Sequence, residues 1–328
     1  MTGLRGLAGL VVGGVLRRSV AAWLRVRRRV AVLAGTIVVT RGRQAAPPAW
    51  HPPGTGGVLV VVAHPDDDLF FLSPDVVHDI RAGRPVVTVY VTSGDAGRLD
   101  RYWRGRERGV AAAHARMAGV ADHWSTSRVS VGPAVVTEAV LLEQPGVRLC
   151  FLRLPDGGMD GAGTARSGPA SLQRLADGTA PVLWTVETPA RAYSRSALLD
   201  VLGRFVTESR PAVIRTLDHV GAWGDGDHSD HHAVARLLVA ARDRSAPDVP
   251  VVGYVGYPAR DLPVNVDGAD LAAKADALAA YAPFDPLMCR TPEEFRARPE
   301  GAWLPRQHRV DGRAATGVSP PPAASPDP

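Results

Sequence analysis

The chain contains few cysteines and almost no lysine, and both shortages narrow the classes of protein to which it can belong. Two cysteines among 328 residues, Cys150 and Cys289, are too few for a disulfide scaffold or a thiolate metal site, although they could form one bridge in an oxidising compartment. Cys150 lies in the apolar run 147–152, so we expect it in the core. Lysine occurs once, as Lys274, which we interpret as a compositional bias without bearing on function.

Nucleotide-binding signatures are also lacking, because neither a GxGxxG after the first predicted strand nor a Walker A sequence occurs. The net charge of +5 suggests nucleic-acid binding, but residues 1–50 hold nine arginines and no acidic residue. Residues 51–328 therefore carry a net charge of −4. Since the basic character belongs to the N-terminal segment, we expect no nucleic-acid groove in the body of the protein.

The N-terminal segment lacks an apolar run of the roughly 20 residues that a membrane-spanning helix needs. Its two apolar stretches, at 7–16 and 30–40, are about half that length. The second resembles a secretory signal that ends at small residues before a proline-rich linker at 47–53, although Arg41 and Arg43 count against this interpretation. We expect export or membrane tethering through this segment, with a disordered basic leader on a cytoplasmic protein as the alternative.

The sequence predicts a folded body between two terminal segments that do not belong to the fold. Residues 1–54 are taken as leader and linker. Residues 301–328, which end in a segment rich in proline, alanine and serine, are expected to be a disordered tail.

In the body, short apolar runs alternate with helical patterns. The uninterrupted β-branched run at 58–63 is typical of a strand that is buried on both faces of a parallel sheet. The other predicted elements are strands at 85–92, 147–154, 212–217 and 251–255, and helices at 75–81, 102–117, 194–208, 230–242 and 269–281. This alternation predicts an α/β fold, a three-layer Rossmann-like domain with a mainly parallel sheet. In such sheets, ligands bind beyond the carboxyl ends of the strands.

A first cluster of polar residues, AHPDDD at 63–68, directly follows the first predicted strand. Carboxylates this close raise one another's pKa unless a cation compensates for their charge. His64 and Asp67 can face one ion from a turn that Pro65 constrains, while Asp66 points elsewhere. For this segment alone, a helix-capping turn is the alternative.

A second cluster, DHSDHH at 227–232, follows the strand predicted at 212–217 and opens a helix. His228 and His231 can project to the same side there, with Asp230 within reach of either imidazole. Because both clusters follow predicted parallel strands, we expect one shared site, with the ligand set His64, Asp67 and His231. Two imidazoles and one carboxylate suit a catalytic zinc, although Fe²⁺ or another divalent ion would also fit.

The remaining side chains of the two clusters suggest a hydrolytic mechanism. Zinc lowers the pKa of water to near 7, and Asp66 is the candidate general base that accepts the proton. His228, oriented by Asp230, would polarise the substrate carbonyl, stabilise the oxyanion and protonate the leaving nitrogen. The predicted reaction is metal-assisted hydrolysis of an amide or an ester.

Both clusters resemble motifs of a known family, the PIG-L/LmbE-like zinc-dependent N-deacetylases. AHPDDD is similar to the AHPDDE signature, with Asp68 where the family has Glu, and HSDH at 228–231 is similar to the HxDH motif. The similarity continues through 92–97, 107–120, 151–157 and 253–254 to the helix of Lys274. The GDGDH loop at 224–228 is similar to that of exported bacterial members.

The resemblance implies a deacetylase domain over residues 55–300. Such enzymes remove the acetyl group from N-acetylglucosamine units or related amino-sugar conjugates, so the expected partner is a small glycoconjugate substrate. It also implies that His64, Asp67 and His231 hold zinc and that Asp66 is the base. The sequence does not indicate the oligomeric state.

Candidate substrate contacts are Asp95 and Arg98, with a turn residue and a solvated side chain as the respective alternatives. Arg104 and Arg106 are expected to be solvated, with substrate binding as the alternative. Alternative functions are a carbohydrate-binding module in which a metal only organises the site, and a metal-dependent ester or phosphoester hydrolase. The presence of both Asp66 and His228 argues against a pure binding module, and phosphoesterases more often use two metals and further carboxylates.

Overall fold

The computed structural model describes residues 46–98 and 100–310, and its central feature is a seven-stranded sheet. The strands are β1 (Val58–Val62), β2 (Val86–Thr92), β3 (Trp124–Val131), β4 (Ala134–Leu141), β5 (Val147–Leu154), β6 (Leu183–Trp184), β7 (Ala192–Tyr193), β8 (Val213–Leu217) and β9 (Val251–Tyr254). Their order in the main sheet is β3-β4-β5-β2-β1-β8-β9, and β6 pairs with β7 separately. Strands β5, β2, β1, β8 and β9 are parallel, whereas β4 runs antiparallel to both of its neighbours.

Helices pack on the sheet in two groups. They are α1 (Asp67–Phe70), α2 (Asp75–Arg81), α3 (Asp100–Ala118), α4 (Leu172–Asp177), α5 (Arg195–Ser209), α6 (Ser229–Ser245), α7 (Gly268–Tyr281), α8 (Pro292–Ala297) and α9 (Pro299–Trp303). Helix α3 packs against α2 and α7, and α6 packs against α4 and α5. The predicted three-layer α/β fold with a mainly parallel sheet is confirmed.

The central strands form where the sequence is continuously apolar and β-branched. All five residues of β1 and all seven of β2 are buried, as expected for strands with helices on both faces. In the sheet, β2 lies on one side of β1, and β8, which comes much later in the chain, lies on the other side. The carboxyl ends of β1 and β8 therefore flank the point where the connections diverge, which is where open α/β sheets bind ligands.

The predicted strands and long helices are present, and their ends either match or are shifted by up to three residues. The hairpin β3–β4 was not predicted. Residues 125–128 are the polar sequence Ser-Thr-Ser-Arg and are exposed at the edge of the sheet, so this strand carries no clear apolar pattern.

Both predicted domain boundaries need correction. Trp50, which was assigned to the excluded leader, is buried, and its indole packs edge-on against Phe205 with ring centroids 4.8 Å apart. At the other end, residues 301–310 are ordered structure and not tail: Trp303 is buried, and the Val255 N–H donates to the carbonyl of His308. The predicted secretory signal or leader at 1–45 and residues 311–328 lie outside the described residues.

Cys150 and Cys289 are both free and buried. The bridge considered for an oxidising compartment is therefore not formed. Within residues 46–98 and 100–310, no helix has the length and apolar character needed to cross a membrane.

Candidate active site

The first cluster forms the turn between β1 and α1. Asp67 is the first residue of α1, and its Oδ2 accepts the backbone N–H of His64 at 2.6 Å. This bond turns the chain back on itself directly after the strand. Both side chains are buried at the carboxyl end of β1.

The second cluster caps helix α6. His228 is the N-cap residue, and its Nδ1 accepts the backbone N–H of Asp230 at 3.2 Å. The imidazole thus takes the role that a serine or aspartate side chain usually has at a helix start. His231 lies in the first turn of α6 and is fully buried.

The two clusters meet at the sheet edge. Asp67 Oδ1 lies 3.5 Å from His64 Nδ1 and 3.1 Å from His231 Nε2. Ligand atoms of the three side chains all lie within 4.8 Å of one another. The structure therefore brings together the predicted ligand set of His64, Asp67 and His231, although 164 positions separate Asp67 from His231.

Each imidazole of this set has a carboxylate on its other nitrogen. Asp230 Oδ2 lies 3.3 Å from His64 Nε2, and Asp227 Oδ1 lies 2.7 Å from His231 Nδ1. Carboxylates in this position fix the tautomer and the ring orientation of metal-binding histidines. The structure thus assigns Asp230 to His64, whereas the sequence analysis assigned it to His228.

That correction has a geometric reason. The carboxylate of Asp230 is 3.9 Å from His228 Nδ1, which already accepts the Asp230 backbone N–H. Asp156 faces the other side of this ring, with Oδ1 3.6 Å from His228 Nε2. Asp156 follows β5 and was missed as a site residue, although its place after a parallel strand was a usable signal.

A second group of potential ligands overlaps the first through His64. It consists of His64, Asp156, His228 and Asp230. Its carboxylates already accept backbone N–H groups: Asp230 from Gly157 at 2.8 Å, and Asp156 from Gly158 at 2.8 Å. Asp67 Oδ1 faces only the two imidazoles among its hydrogen-bond and ion-pair contacts in the described part of the chain, so the first group suits an ion better.

The pKa shifts in the first group show that its carboxylates stabilise positive charge on the neighbouring imidazoles. Burial would raise the pKa of Asp67, but His231 and His64 outweigh it and hold this pKa well below its usual range. Burial would lower the pKa of His231, but Asp67 and Asp227 outweigh it and raise the value to about 10. The pKa of His64 is likewise well above its ordinary value, because Asp67, Asp230 and Asp156 overcome the effect of burial. A divalent cation can supply the positive charge that the protonated imidazoles would otherwise carry.

Asp66 points away from this group, as predicted, and meets a buried arginine. Arg106 Nη2 donates to Asp66 Oδ1 at 2.5 Å, while the rest of the guanidinium binds the Gly94 carbonyl and the Tyr281 hydroxyl. Burial raises the pKa of Asp66 to about 7 even though Arg106 lowers it. The prediction that Arg106 is solvated is wrong, because α3 turns this side chain inward against α7.

Asp66, His228, His64 and Asp67 line one cavity of about 430 Å³, whereas His231 is fully buried and is not one of its lining residues. Its other lining residues are Phe70, Phe71, Ala96, Tyr102, Arg106, Asp156, Gly158, Met159, Thr164, Tyr257, Asp285, Leu287, Met288, Arg298, Glu300 and Trp303. Part of this wall, from Tyr257 onward, follows β9 and was not anticipated from the sequence. Tyr257 stacks on Trp303, with centroids 4.6 Å apart.

The two predicted substrate contacts lie outside the cavity wall. Asp95 is buried, and its Oδ1 accepts the Ser93 hydroxyl and the Asp156 N–H, both at 2.9 Å. It therefore braces the loop that carries Asp156, which corrects its assignment. Arg98 is exposed, with its guanidinium 5.4 Å from the centroid of the Tyr102 ring.

Asp68 occupies the place of the glutamate in the related signature and also faces away from the cavity. Its Oδ1 accepts the Tyr90 hydroxyl at 3.0 Å, and its Oδ2 lies 3.4 Å from His114 Nε2. Burial raises the pKa of Asp68 to about 8. The shorter side chain thus takes part in an internal contact and not in the ligand set.

The chain is similar to a known family and to known proteins. The family model of PIG-L, described as GlcNAc-PI de-N-acetylase, matches residues 59–242. A 218-residue region is 30% identical to the 1D-myo-inositol 2-acetamido-2-deoxy-alpha-D-glucopyranoside deacetylase of Nakamurella multipartita, and it covers 66% of this chain. The same region spans 63% of that relative, which is less than two thirds of its length.

Among solved structures, the chain is similar to the conserved protein TT1542 from Thermus thermophilus, with 21% identity and a TM-score of 0.39 over 76% of this chain and 84% of the other. It is also similar to the N,N'-diacetylchitobiose deacetylase of Pyrococcus horikoshii, with 15% identity and a TM-score of 0.42 over 75% of each chain. The residues that match the family model include both clusters, most of β1 and all of β2 to β8. The chain belongs to the PIG-L family of de-N-acetylases.

Proposed function

We propose that the protein is a metal-dependent hydrolase that removes the N-acetyl group from an N-acetylglucosamine-containing or related amino-sugar conjugate. The observation that carries this proposal is the convergence of His64, Asp67 and His231 next to a cavity that Asp66 and His228 line. Family membership supports it, because that family is described by amide hydrolysis of an N-acetyl amino sugar.

The three side chains of the ligand set fit a divalent cation. Their ligand atoms lie within 4.8 Å of one another, and a carboxylate contacts the second nitrogen of each imidazole. The raised pKa of His231 indicates that the surrounding carboxylates stabilise positive charge at this place. Two imidazoles and a carboxylate favour zinc, and Fe²⁺ is the alternative. When bound there, such an ion supplies Lewis acidity, which polarises an oxygen and lowers the pKa of water.

Asp66 is suited to accept a proton from the attacking water. Its pKa of about 7 lies near physiological pH, where a general base combines a useful deprotonated fraction with sufficient basicity. The bond from Arg106 holds the carboxylate at the cavity wall. As the water oxygen bonds to the acetyl carbon, its proton passes to Asp66.

His228 is suited to donate a hydrogen bond to the acetyl oxygen. Burial and the neighbouring His64 lower its pKa to about 4, so the imidazole is neutral at pH 7. Because Nδ1 accepts the Asp230 N–H, the ring proton is on Nε2, which lines the cavity side facing Asp156. This proton can stabilise the negative charge that develops on the acetyl oxygen. The C–N bond then breaks, and the amine nitrogen takes up the proton from Asp66 and not from His228, as the sequence analysis expected, because the His228 proton stays on the oxyanion contact. Acetic acid, which ionises to acetate, and the free amine leave.

The direct test is metal content and acetate release on the purified full chain. We expect zinc near one equivalent per chain and acetate release from N-acetylglucosamine, N-acetylated glycolipids or chitooligosaccharides. Phosphate release from phosphoesters without acetate release would favour the phosphoesterase alternative and overturn the proposal.

We further propose that the protein acts outside the cytoplasm or at a membrane surface. The support is the arginine-rich sequence with two short apolar stretches at 7–16 and 30–40. Fractionation of cells that express the full chain tests this: recovery of the whole protein in the cytoplasm, with its N-terminus intact, would contradict it.

A further inference from the structure

The outer wall of the cavity is built by residues beyond the part of the chain that matches the family model. That match ends at residue 242, whereas Asp285, Leu287, Met288, Arg298, Glu300 and Trp303 all line the cavity. The catalytic chemistry proposed above needs none of these six side chains. They are therefore available to contact the part of a substrate that lies away from the acetyl group.

Cationic groups in this wall are already paired. Two arginines line the cavity in the described part of the chain, Arg106 and Arg298. Arg106 donates to Asp66 and lies 3.5 Å from Asp285 Oδ2. Arg298 donates to Glu300 Oε1 at 2.5 Å and to the Leu287 carbonyl at 2.8 Å. A substrate anion would therefore have to compete with these carboxylates for either guanidinium, including that of Arg298, whose side chain is 43% exposed.

Negative charge outnumbers positive charge around the cavity. Five carboxylates line it, those of Asp66, Asp67, Asp156, Asp285 and Glu300, against the two guanidiniums. Even with a bound dication, the lining has one more carboxylate than positive charge. Glu300 Oε2 is buried and has no hydrogen-bond partner within the described residues, so its negative charge is only partly compensated and would repel an anion.

The rim of the cavity is apolar as well. Met159 and Leu287 both line it, and their side chains are 50% and 39% exposed. Such a rim makes no favourable contact with a phosphate or a carboxylate. Arg98, the exposed arginine near Tyr102, is not part of the wall.

We propose that this cavity takes an uncharged N-acetylated amino-sugar conjugate and discriminates against one with a phosphate or carboxylate attached to the sugar. The inference rests on the proposed deacetylase function and adds the charge class of its substrate. The residues that set the preference are Glu300 and Asp285, which neutralise the two arginines.

The test compares methyl N-acetyl-α-D-glucosaminide with N-acetyl-α-D-glucosamine 1-phosphate on the zinc-loaded full chain. We expect kcat/KM for acetate release to be at least about tenfold higher for the neutral glycoside, because unfavourable charge contacts in a binding site are costly. Equal or better use of the phosphate would overturn the inference. If these compounds, N-acetylated glycolipids and chitooligosaccharides all release no acetate, the proposed function fails, and equilibrium binding of the same two compounds to the loaded protein still decides the charge preference.

A variant tests whether the wall residues cause the preference. Glu300→Gln removes one carboxylate and leaves Arg298 without its charged partner, so the preference for the neutral glycoside should fall about three- to tenfold. Glu293→Gln is the matched control, because Glu293 pairs with Arg296 on the exposed face of α8 and does not line the cavity. An unchanged ratio in Glu300→Gln, or an equal change in both variants, would contradict the assignment.

Discussion

Two aspartates beside the candidate metal site, Asp227 and Asp230, contact imidazoles of the predicted ligand set. Asp227 Oδ1 accepts the backbone N–H groups of His228 and Tyr257, both at 2.9 Å, as well as facing His231 Nδ1. One oxygen atom thus ties the start of α6 to the turn after β9. This carboxylate and that of Asp67 contact the two nitrogens of the His231 ring.

Replacement of Asp227 by asparagine should weaken metal binding. An amide is a poorer acceptor than a carboxylate, so His231 loses both orientation and basicity, and we expect about a 10- to 100-fold loss of zinc affinity. Competition with a chromophoric chelator measures it. Asp225→Asn is the control, because Asp225 pairs with His232, whose ring is outside the ligand set, at 3.0 Å, and the amide oxygen of the variant can still accept the Asp227 N–H. Equal affinity in the Asp227 variant and the parent would remove this role.

Replacement of Asp66 by asparagine should separate catalysis from metal binding. The variant keeps the ligand set but cannot accept a proton, so acetate release should fall by about 100- to 10,000-fold while the zinc content is unchanged. His231→Ala should lose the metal as well. Steady-state acetate assays with elemental analysis of the same samples measure both quantities, and full activity in Asp66→Asn would show that the mechanism is wrong.

Residue types and spacing were enough to predict which side chains converge, but not their individual partners. The convergence follows from where the strands end, and this can be read from apolar runs. The pairing of Asp230 with His64 depends on side-chain rotamers in a packed site. The burial of Arg106 depends on Tyr281 of α7, which is 175 residues away in the sequence. Neither contact produces a local pattern in the amino-acid sequence.

Among the elements, the buried parallel strands were predictable and the edge hairpin was not. Strands β1 and β2 must be apolar on both faces, which produces an unmistakable run of valines. Strand β3 is at the edge of the sheet, where only its last residues are buried, and its sequence resembles a loop. The site does not depend on β3, so its location could be predicted although the sheet was incomplete.

Helix α7 holds the final segment of the described chain through a buried lysine. Lys274 Nζ donates to the carbonyls of Trp303 and Arg306, at 3.1 and 2.7 Å. Its side chain is fully buried, and no carboxylate is among its hydrogen-bond or ion-pair partners in the described residues. Burial therefore lowers the pKa of Lys274 from 10.5 to about 7.

This shift predicts a pH-dependent contribution to stability. Between pH 7 and 10.5, the unfolded chain holds the lysine proton and the folded chain does not, so the free energy of unfolding rises with pH, by up to about 1.4 kcal/mol per unit. Lys274→Met removes the group while filling a similar volume. Denaturant unfolding at pH 7, 8 and 9 should show the parent gaining stability relative to this variant. A constant difference would show that the lysine does not titrate in this range.

For the molecule as a whole, segments near both ends of the described chain cover the two edges of the sheet. The N–H of Trp50 donates to the Ser130 carbonyl of β3, and the Ser130 N–H donates to Pro48, each at 2.8 Å. At the opposite edge, Tyr254 of β9 forms a bridge with Arg309. Covered edges protect a sheet from pairing with other chains. The folded unit therefore extends beyond the 55–300 range that the sequence predicted.

The position of the N-terminal boundary can be tested by truncation. A chain that begins at residue 47 keeps Trp50, whose Nε1 donates to Glu138 at 2.9 Å, and the His51 carbonyl that accepts from Arg148 at 2.7 Å. A chain that begins at residue 54 loses these contacts, and it should be less stable by roughly 3–5 kcal/mol, the usual cost of removing a buried aromatic side chain. Denaturant unfolding of both chains, with Trp50→Ala in the longer one, measures this difference. If the tryptophan is responsible, the variant should show most of the loss, whereas equal stability of the two chains would place residues 47–53 outside the folded unit.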